Sequence, residues 1–190
     1  MTKKRFNPKK LDKLNNPDRY KILPPEFIAE KAELKDPEVI IDLGAGTGFY
    51  SIPFAKMYNR CKIYALDISD IMVEWMQKNI SPKFDNITPM KMKDNNVPMD
   101  SNIADFLFMI NLHHELDSPD KMLNECFRVL KPNGKIAISD WKKQETKGGP
   151  PLEIRYEAIE IKEQLLDAGF KDVNIYPELS NNNLIIAEKY

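Results

Sequence analysis

Apolar residues along this chain arrive in short bursts, and between the bursts they recur at helical spacing. "EVIIDL" (38–43), "KIYALD" (62–67), "ADFLFMI" (104–110) and "KIAISD" (135–140) are nearly continuous apolar runs, which predict strands buried on both faces. Between them the pattern predicts helices over "GFYSIPFAKMYN" (48–59), "SDIMVEWMQKN" (69–79) and "SPDKMLNECFRVL" (118–130), with Ser69 and Ser118 as caps. "ITPMKM" (87–92) is a weaker strand, and Pro89 should confine it to a sheet edge or bulge. "KPNG" (131–134) is predicted as a turn.

Strands alternating with amphipathic helices predict an α/β fold, a doubly wound and mostly parallel sheet. The end of the chain breaks the rule. A helix over 153–170, closed by Gly169, is followed by "KDVNIYPEL" and "NNLIIAEK" with only a short connection between them. No helical crossover fits there, so these strands should run antiparallel, which brings the sheet to seven strands. Upstream, residues 1–34 read as short helices, with Asn7 and Pro8 opening one and Pro25 opening another. Nothing divides the chain, so 1–190 is expected to form one domain: a helical cap over 1–34 and a core over 35–190. Within the core, "KKQETKGGPP" makes 141–157 a lid or an ordinary surface loop.

Composition narrows the function. The length of 190 residues suits one core, and the net charge of −1 offers no field for nucleic acid or an anionic membrane. No run spans a bilayer and no apolar segment follows the basic N-terminus, so a cytoplasmic protein is expected. The cysteines, Cys61 and Cys126, lack metal-ligand spacing, and no metal site is expected. The Met-rich helix around Met72 reads as packing, or alternatively as a partner surface.

The chemistry concentrates in "VIIDLGAGTG". Three of the seven glycines are Gly44, Gly46 and Gly48. Glycines at every second position let a backbone turn sharply and approach a ligand closely. The loop opens a helix, whose first N–H groups attract an anionic or polar group. The phosphate-binding GxxxxGK[ST] pattern is absent, and the spacing is one residue shorter than the dinucleotide fingerprint GxGxxG. Asp67 ends the second strand, where a carboxylate can accept ribose hydroxyls. Nicotinamide and adenosyl cofactors both satisfy that pattern, and a plain tight turn is the third reading.

The ordered set "VIIDLGAGTG", "IYALDIS", "VPMDSNIADFLFMINLHHEL" and "RVLKPNGKIAISD", with a reversed tail, resembles the class I S-adenosylmethionine-dependent methyltransferases from about residue 36 onward. The flanking "LNNPDRYKILPP" and "DW…GPPLEIR" resemble small bacterial and archaeal members with no assigned substrate. The resemblance implies S-adenosylmethionine as cofactor. It places Asp42 toward the methionine ammonium and Gly44, Ala45, Gly46 and Gly48 under the methionine and ribose. Asp67 takes the ribose hydroxyls, Ile68 and Met72 the adenine face, Asp94 or Asn95 the adenine edge. Met109 and Ile110 would touch the methionine end. At the adenine edge the pattern departs, because Lys93 stands where the family usually carries its acidic residue.

For the acceptor, His114 and Asp140 are the candidate catalytic pair, and His113, Trp141 and Arg155 candidate pocket residues. The histidines follow the fourth strand, at the sheet edge where α/β proteins bind ligands, and imidazole titrates near neutrality. Capping of the next loop is the competing role for the histidines, and packing for Trp141. An "NPPY"-like motif, a cysteine cluster and a basic aromatic stripe are all missing. A small-molecule acceptor is therefore expected, with no nucleic-acid or membrane partner. An NAD(P)-dependent oxidoreductase and a cofactor-binding module without turnover are the alternatives. The sequence leaves acceptor and oligomeric state open.

Overall fold

The computed structural model describes residues 14–146 and 148–190. Seven strands form one sheet: β1 (Val39–Leu43), β2 (Lys62–Asp67), β3 (Ile87–Lys91), β4 (Ala104–Ile110), β5 (Leu130–Trp141), β6 (Lys171–Tyr176) and β7 (Asn182–Glu188). Their order is β3-β2-β1-β4-β5-β7-β6. β1 to β5 pair in parallel, while β7 runs antiparallel to both β5 and β6. The order in which strands are added therefore reverses between the parallel neighbours β1 and β4, and the carboxyl ends of those strands open a crevice.

The helices are α1 (Asp18–Ile22), α2 (Pro25–Lys31), α3 (Ser51–Met57), α4 (Asp70–Asn79), α5 (Pro119–Val129) and α6 (Ala158–Asp167). Strand residues alternate between the two faces of the sheet. Ile41, Leu43, Leu107, Met109 and Ile138 pack with Leu123, Cys126, Ile161 and Leu165 of α5 and α6. Ile40, Phe106, Phe108 and Ala137 pack on the other face with Ile28, Phe54 and Met76 of α2, α3 and α4. Phe54 stacks on Phe108 with ring centroids 4.6 Å apart. Both buried faces come from the same continuous apolar strands, which explains the missing alternation in their sequence.

Several elements differ from expectation in their ends. α3 starts at Ser51, because the glycine loop and its following turn occupy 44–50. "KPNG" is no turn between elements. It is a bulge inside β5, where the register jumps from Ala104–Leu130 to Phe106–Lys135 and Asn133 adopts φ 64°. The expected helix over 153–170 begins only at Ala158, where Glu157 and Glu160 form a capping box. A 3-10 turn over Leu152–Ile154 precedes it. Neither Ser69 nor Ser118 makes a side-chain cap bond. Pro89 does sit in an edge strand, as its missing N–H requires. The helix expected at Asn7 and Pro8 lies outside the described residues.

Candidate functional site

β1 carries Asp42 at its penultimate position, on the face that α3 covers. Asp42 is buried, and Ser51 Oγ donates to its Oδ2 at 2.6 Å. Burial pushes the carboxyl up to about 7, against the hydrogen bond from Ser51, and nearby Asp67 adds to the rise. The chain then turns through three glycines with φ of 72°, 58° and 68° at Gly44, Gly46 and Gly48. That is the left-handed region, which side chains disfavour. The N–H groups of Gly44 and Ala45 both bond to the Leu66 carbonyl, at 2.8 and 2.9 Å, which ties the loop to the end of β2.

Asp67 completes this frame. Its Oδ2 accepts from Gly46 N–H and its Oδ1 from Ser69 N–H, both at 2.8 Å. Burial raises its pKa while these backbone bonds oppose the rise. Each oxygen keeps a lone pair for a further donor. Met72 is buried on α4 and Ile68 half-buried beside it. Asp94 and Asn95 ride the tip of a tight turn bridged between Lys93 and Asn96, past the end of β3; Asp94 is exposed and Asn95 adopts φ 52°.

Residues that the sequence reading did not single out close over the loop. A Cβ on Gly46 would meet Leu14 Cδ1 at 3.3 Å. Thr47 Oγ1 donates to Asn15 Oδ1 at 2.8 Å, and the Tyr20 hydroxyl to the Phe49 carbonyl at 2.5 Å. Tyr20 stacks on Phe49 at 4.1 Å, and the Arg19 guanidinium lies 5.0 and 5.1 Å from the Phe49 and Tyr50 rings. A Cβ on Gly44 would strike Leu112 at 2.7 Å, so the end of β4 also packs on the loop. Met109 is fully buried and Ile110 half-buried in that strand. Two surface hollows, of about 400 and 440 Å³, lie elsewhere, around Met99 and Arg128 and around Glu33 and Tyr58.

The histidines that follow Leu112 take different positions. Asp140, at the end of β5, accepts from His114 N–H at 2.8 Å through Oδ2 and from His114 Nδ1 at 2.7 Å through Oδ1. Trp141 N–H also donates to Oδ1, at 2.7 Å. Because a carboxylate only accepts, Nδ1 is the donor in this bond, and Nε2 faces the other way, 3.8 Å from Glu115 Oε1. His113 is fully enclosed: among the described residues neither ring nitrogen makes a well-formed hydrogen bond, although the Gln164 side chain interacts with the ring, and the ring meets Tyr156 edge to face at 4.7 Å. Burial lowers its pKa, so it is held neutral.

Arg155 is also drawn inward. Its guanidinium donates to the carbonyls of Lys142, Gln144, Gly148 and Pro150 and to Thr146 Oγ1. It also lies 5.3 Å from the Trp141 ring. A Cβ on Gly149, at φ 98°, would strike that ring at 2.9 Å. The loop after β5 is therefore wound around Arg155 and pressed onto Trp141. Among the described residues no three His, Cys, Asp or Glu side chains cluster to hold a metal ion.

A glycine loop at the switch point of a parallel sheet serves ligands of several kinds, and relatives decide between them. The methyltransferase domain family matches residues 40–134, half of the chain. A SAM dependent methyltransferase from Aquifex aeolicus is 34% identical, with TM-score 0.92 over 98% of this chain and 100% of that one. This chain belongs to the methyltransferase domain family. The malonyl-[acyl-carrier protein] O-methyltransferase of Methylococcus capsulatus is 28% identical over 54% of this chain and 37% of its own. The tRNA(Phe) (4-demethylwyosine(37)-C(7)) aminocarboxypropyltransferase of Methanocaldococcus jannaschii is 25% identical over 73% of this chain and 55% of its own. The chain thus spans about a third to a half of the length of such curated relatives. The family draws its methyl group from S-adenosylmethionine, and the cradle suits that cofactor. Gly46 keeps its face of the loop free of a side chain of its own, with Leu14 Cδ1 3.3 Å from where a Cβ would sit, and Asp67 presents two oriented carboxylate oxygens. No helix among the described residues is long and apolar enough to cross a membrane.

Proposed function

We propose that this methyltransferase chain moves a methyl group from S-adenosylmethionine to a small molecule carrying an ionisable O–H or N–H. The observation behind the acceptor side is the His114–Asp140 pair at the carboxyl ends of β4 and β5. Asp42, Gly44, Ala45, Gly46 and Gly48 hold the methionine and ribose portions, Asp67 the ribose hydroxyls, and Ile68 and Met72 the adenine face. Asp94 or Asn95 takes the adenine edge, and Met109 and Ile110 border the methionine end. When bound, S-adenosylmethionine supplies a methyl group already activated by its sulfonium. The chain's task is to align the acceptor, exclude water and take its proton.

His114 takes that proton at Nε2, and Asp140 stabilises the charge that forms on the ring. Trp141 and the loop held by Arg155 border the acceptor side. Residues 14–34 act as the cap on one domain, and His113 acts through packing behind the pair. The near-zero net charge supports a small acceptor. Exclusion of nucleic acid finds no support among the relatives, since one is named for tRNA(Phe). A nicotinamide cofactor is not favoured by any of them.

An acceptor panel of phenols, hydroxy acids, amines and total tRNA, read by S-adenosylhomocysteine release, tests this. Turnover is expected on a small acceptor, with His114→Gln lowering kcat by about 10²–10⁴, the range for a general base. Turnover on tRNA alone, or an unchanged kcat in the variant, rejects the respective half of the proposal.

A further inference from the structure

The methionine end of the cofactor is a zwitterion, and the cradle described so far answers only its ammonium, through Asp42. We infer that Arg19, from the N-terminal cap, receives the carboxylate of that amino-acid end. The inference rests on the cofactor reading above.

Arg19 is half-buried on α1 and lies directly above the turn that follows the glycines. Its guanidinium sits over the Phe49 and Tyr50 rings, which hold the plane in place. Among the described residues its side chain makes one hydrogen bond, from Nη1 to the Leu14 carbonyl. Leu14 is the residue that covers Gly46. So the cation is anchored at one corner, beside the cradle, with a planar fork suited to a carboxylate. Asp42 reaches it only through space, with no hydrogen bond between them. The two opposite charges flank the glycine loop from two elements. That is the arrangement an α-amino acid needs, with one charge facing each of its own.

Among the described residues, Lys91 and Arg155 are already engaged. Lys91 pairs with Asp70 at 2.8 Å and donates to the Ile68 carbonyl. Arg155 is wound into its own loop. The cap is also firmly seated, through Tyr20 on Phe49 and the Tyr50 hydroxyl on the Arg19 and Leu23 carbonyls. Those bonds use the Arg19 backbone or other residues, so a side-chain change leaves them in place.

The test is calorimetric and needs no acceptor. S-adenosylhomocysteine is compared with its decarboxylated form, which keeps the nucleoside and the ammonium, on the full chain and on Arg19→Met and Arg19→Lys. The unmodified chain should prefer S-adenosylhomocysteine by at least about tenfold, as expected for a charge-assisted pair. Arg19→Met should erase that preference by weakening S-adenosylhomocysteine alone, and Arg19→Lys should restore part of it. Equal binding of both ligands to the unmodified chain, or equal weakening of both by Arg19→Met, overturns the inference while leaving the cofactor reading intact. If the unmodified chain binds neither ligand, the cofactor reading itself falls. If Arg19→Met fails to fold, Arg19→Gln takes its place, and a preference that survives loss of the cation overturns the inference.

Discussion

Asp67 shows how much one residue carries here. Its two oxygens hold the glycine loop and the start of α4 through Gly46 and Ser69. Asp67→Ala should weaken S-adenosylhomocysteine by about 1–3 kcal/mol, the range for a charge-assisted bond left unmade. Calorimetry checks it, and an unchanged dissociation constant removes Asp67 from the ribose role. Gly46 carries a different burden. Its φ of 58° disfavours any side chain, and a Cβ already meets Leu14 at 3.3 Å. Gly46→Val should abolish binding by straining the loop and filling the methionine space. Near-normal affinity for that variant would place the cofactor elsewhere. The glycines and both aspartates were legible in the sequence because backbone demands restrict the residue type locally. Arg19, Leu14 and Ser51 were not, since their relation to the loop depends on how distant segments dock.

At the scale of elements, β5 is the instructive case. A Pro-Asn-Gly stretch normally ends one element before the next. Here β5 pairs on both sides, with β4 and β7, and the stretch is absorbed as a bulge. Gly134 is needed there for space, because a Cβ would come within 2.8 Å of the Lys131 carbonyl and 3.0 Å of that of Ala104. Both obstacles are backbone and cannot move aside cheaply. Gly134→Ala should lower the unfolding free energy by about 1–3 kcal/mol, in line with overpacking. Urea denaturation reads this out, and a stability equal to the parent's would show that the bulge relaxes. The late start of α6 has a similar origin. Helical periodicity continued upstream through "EIRY", but Arg155 is engaged by the loop and Glu157 caps the helix.

Over the whole molecule, the buried charge of Asp42 couples pH to stability and to binding. Its pKa is raised from 3.8 to about 7 in the folded chain, mainly by burial. The folded protein keeps a proton that the unfolded chain releases, so this stability is fully present below pH 3.8 and is lost as pH rises through about 7. Asp42→Asn should therefore flatten the fall in urea midpoint between pH 5 and 8. Ligand binding should run the other way. An ammonium ligand favours the ionised carboxylate, so S-adenosylhomocysteine affinity should drop about tenfold per unit as pH falls below 7. Asp42→Asn should lose that slope. A pH-independent affinity in the unmodified chain would separate Asp42 from the ammonium.

By itself, the sequence determined the strand and helix types, the antiparallel tail, the glycine loop and the acidic end of β2. Each of these follows from periodicity, connection length or a backbone angle, which are local properties. Only the tertiary structure decided that His114 meets Asp140 while His113 is enclosed, for two neighbouring histidines cannot be told apart before β5 is placed beside β4. It also decided that Arg155 turns into its loop and that the N-terminal cap sets Arg19 over the glycine turn. Those outcomes depend on the docking of segments far apart in the chain, where burial and charge select a partner that no local spacing records.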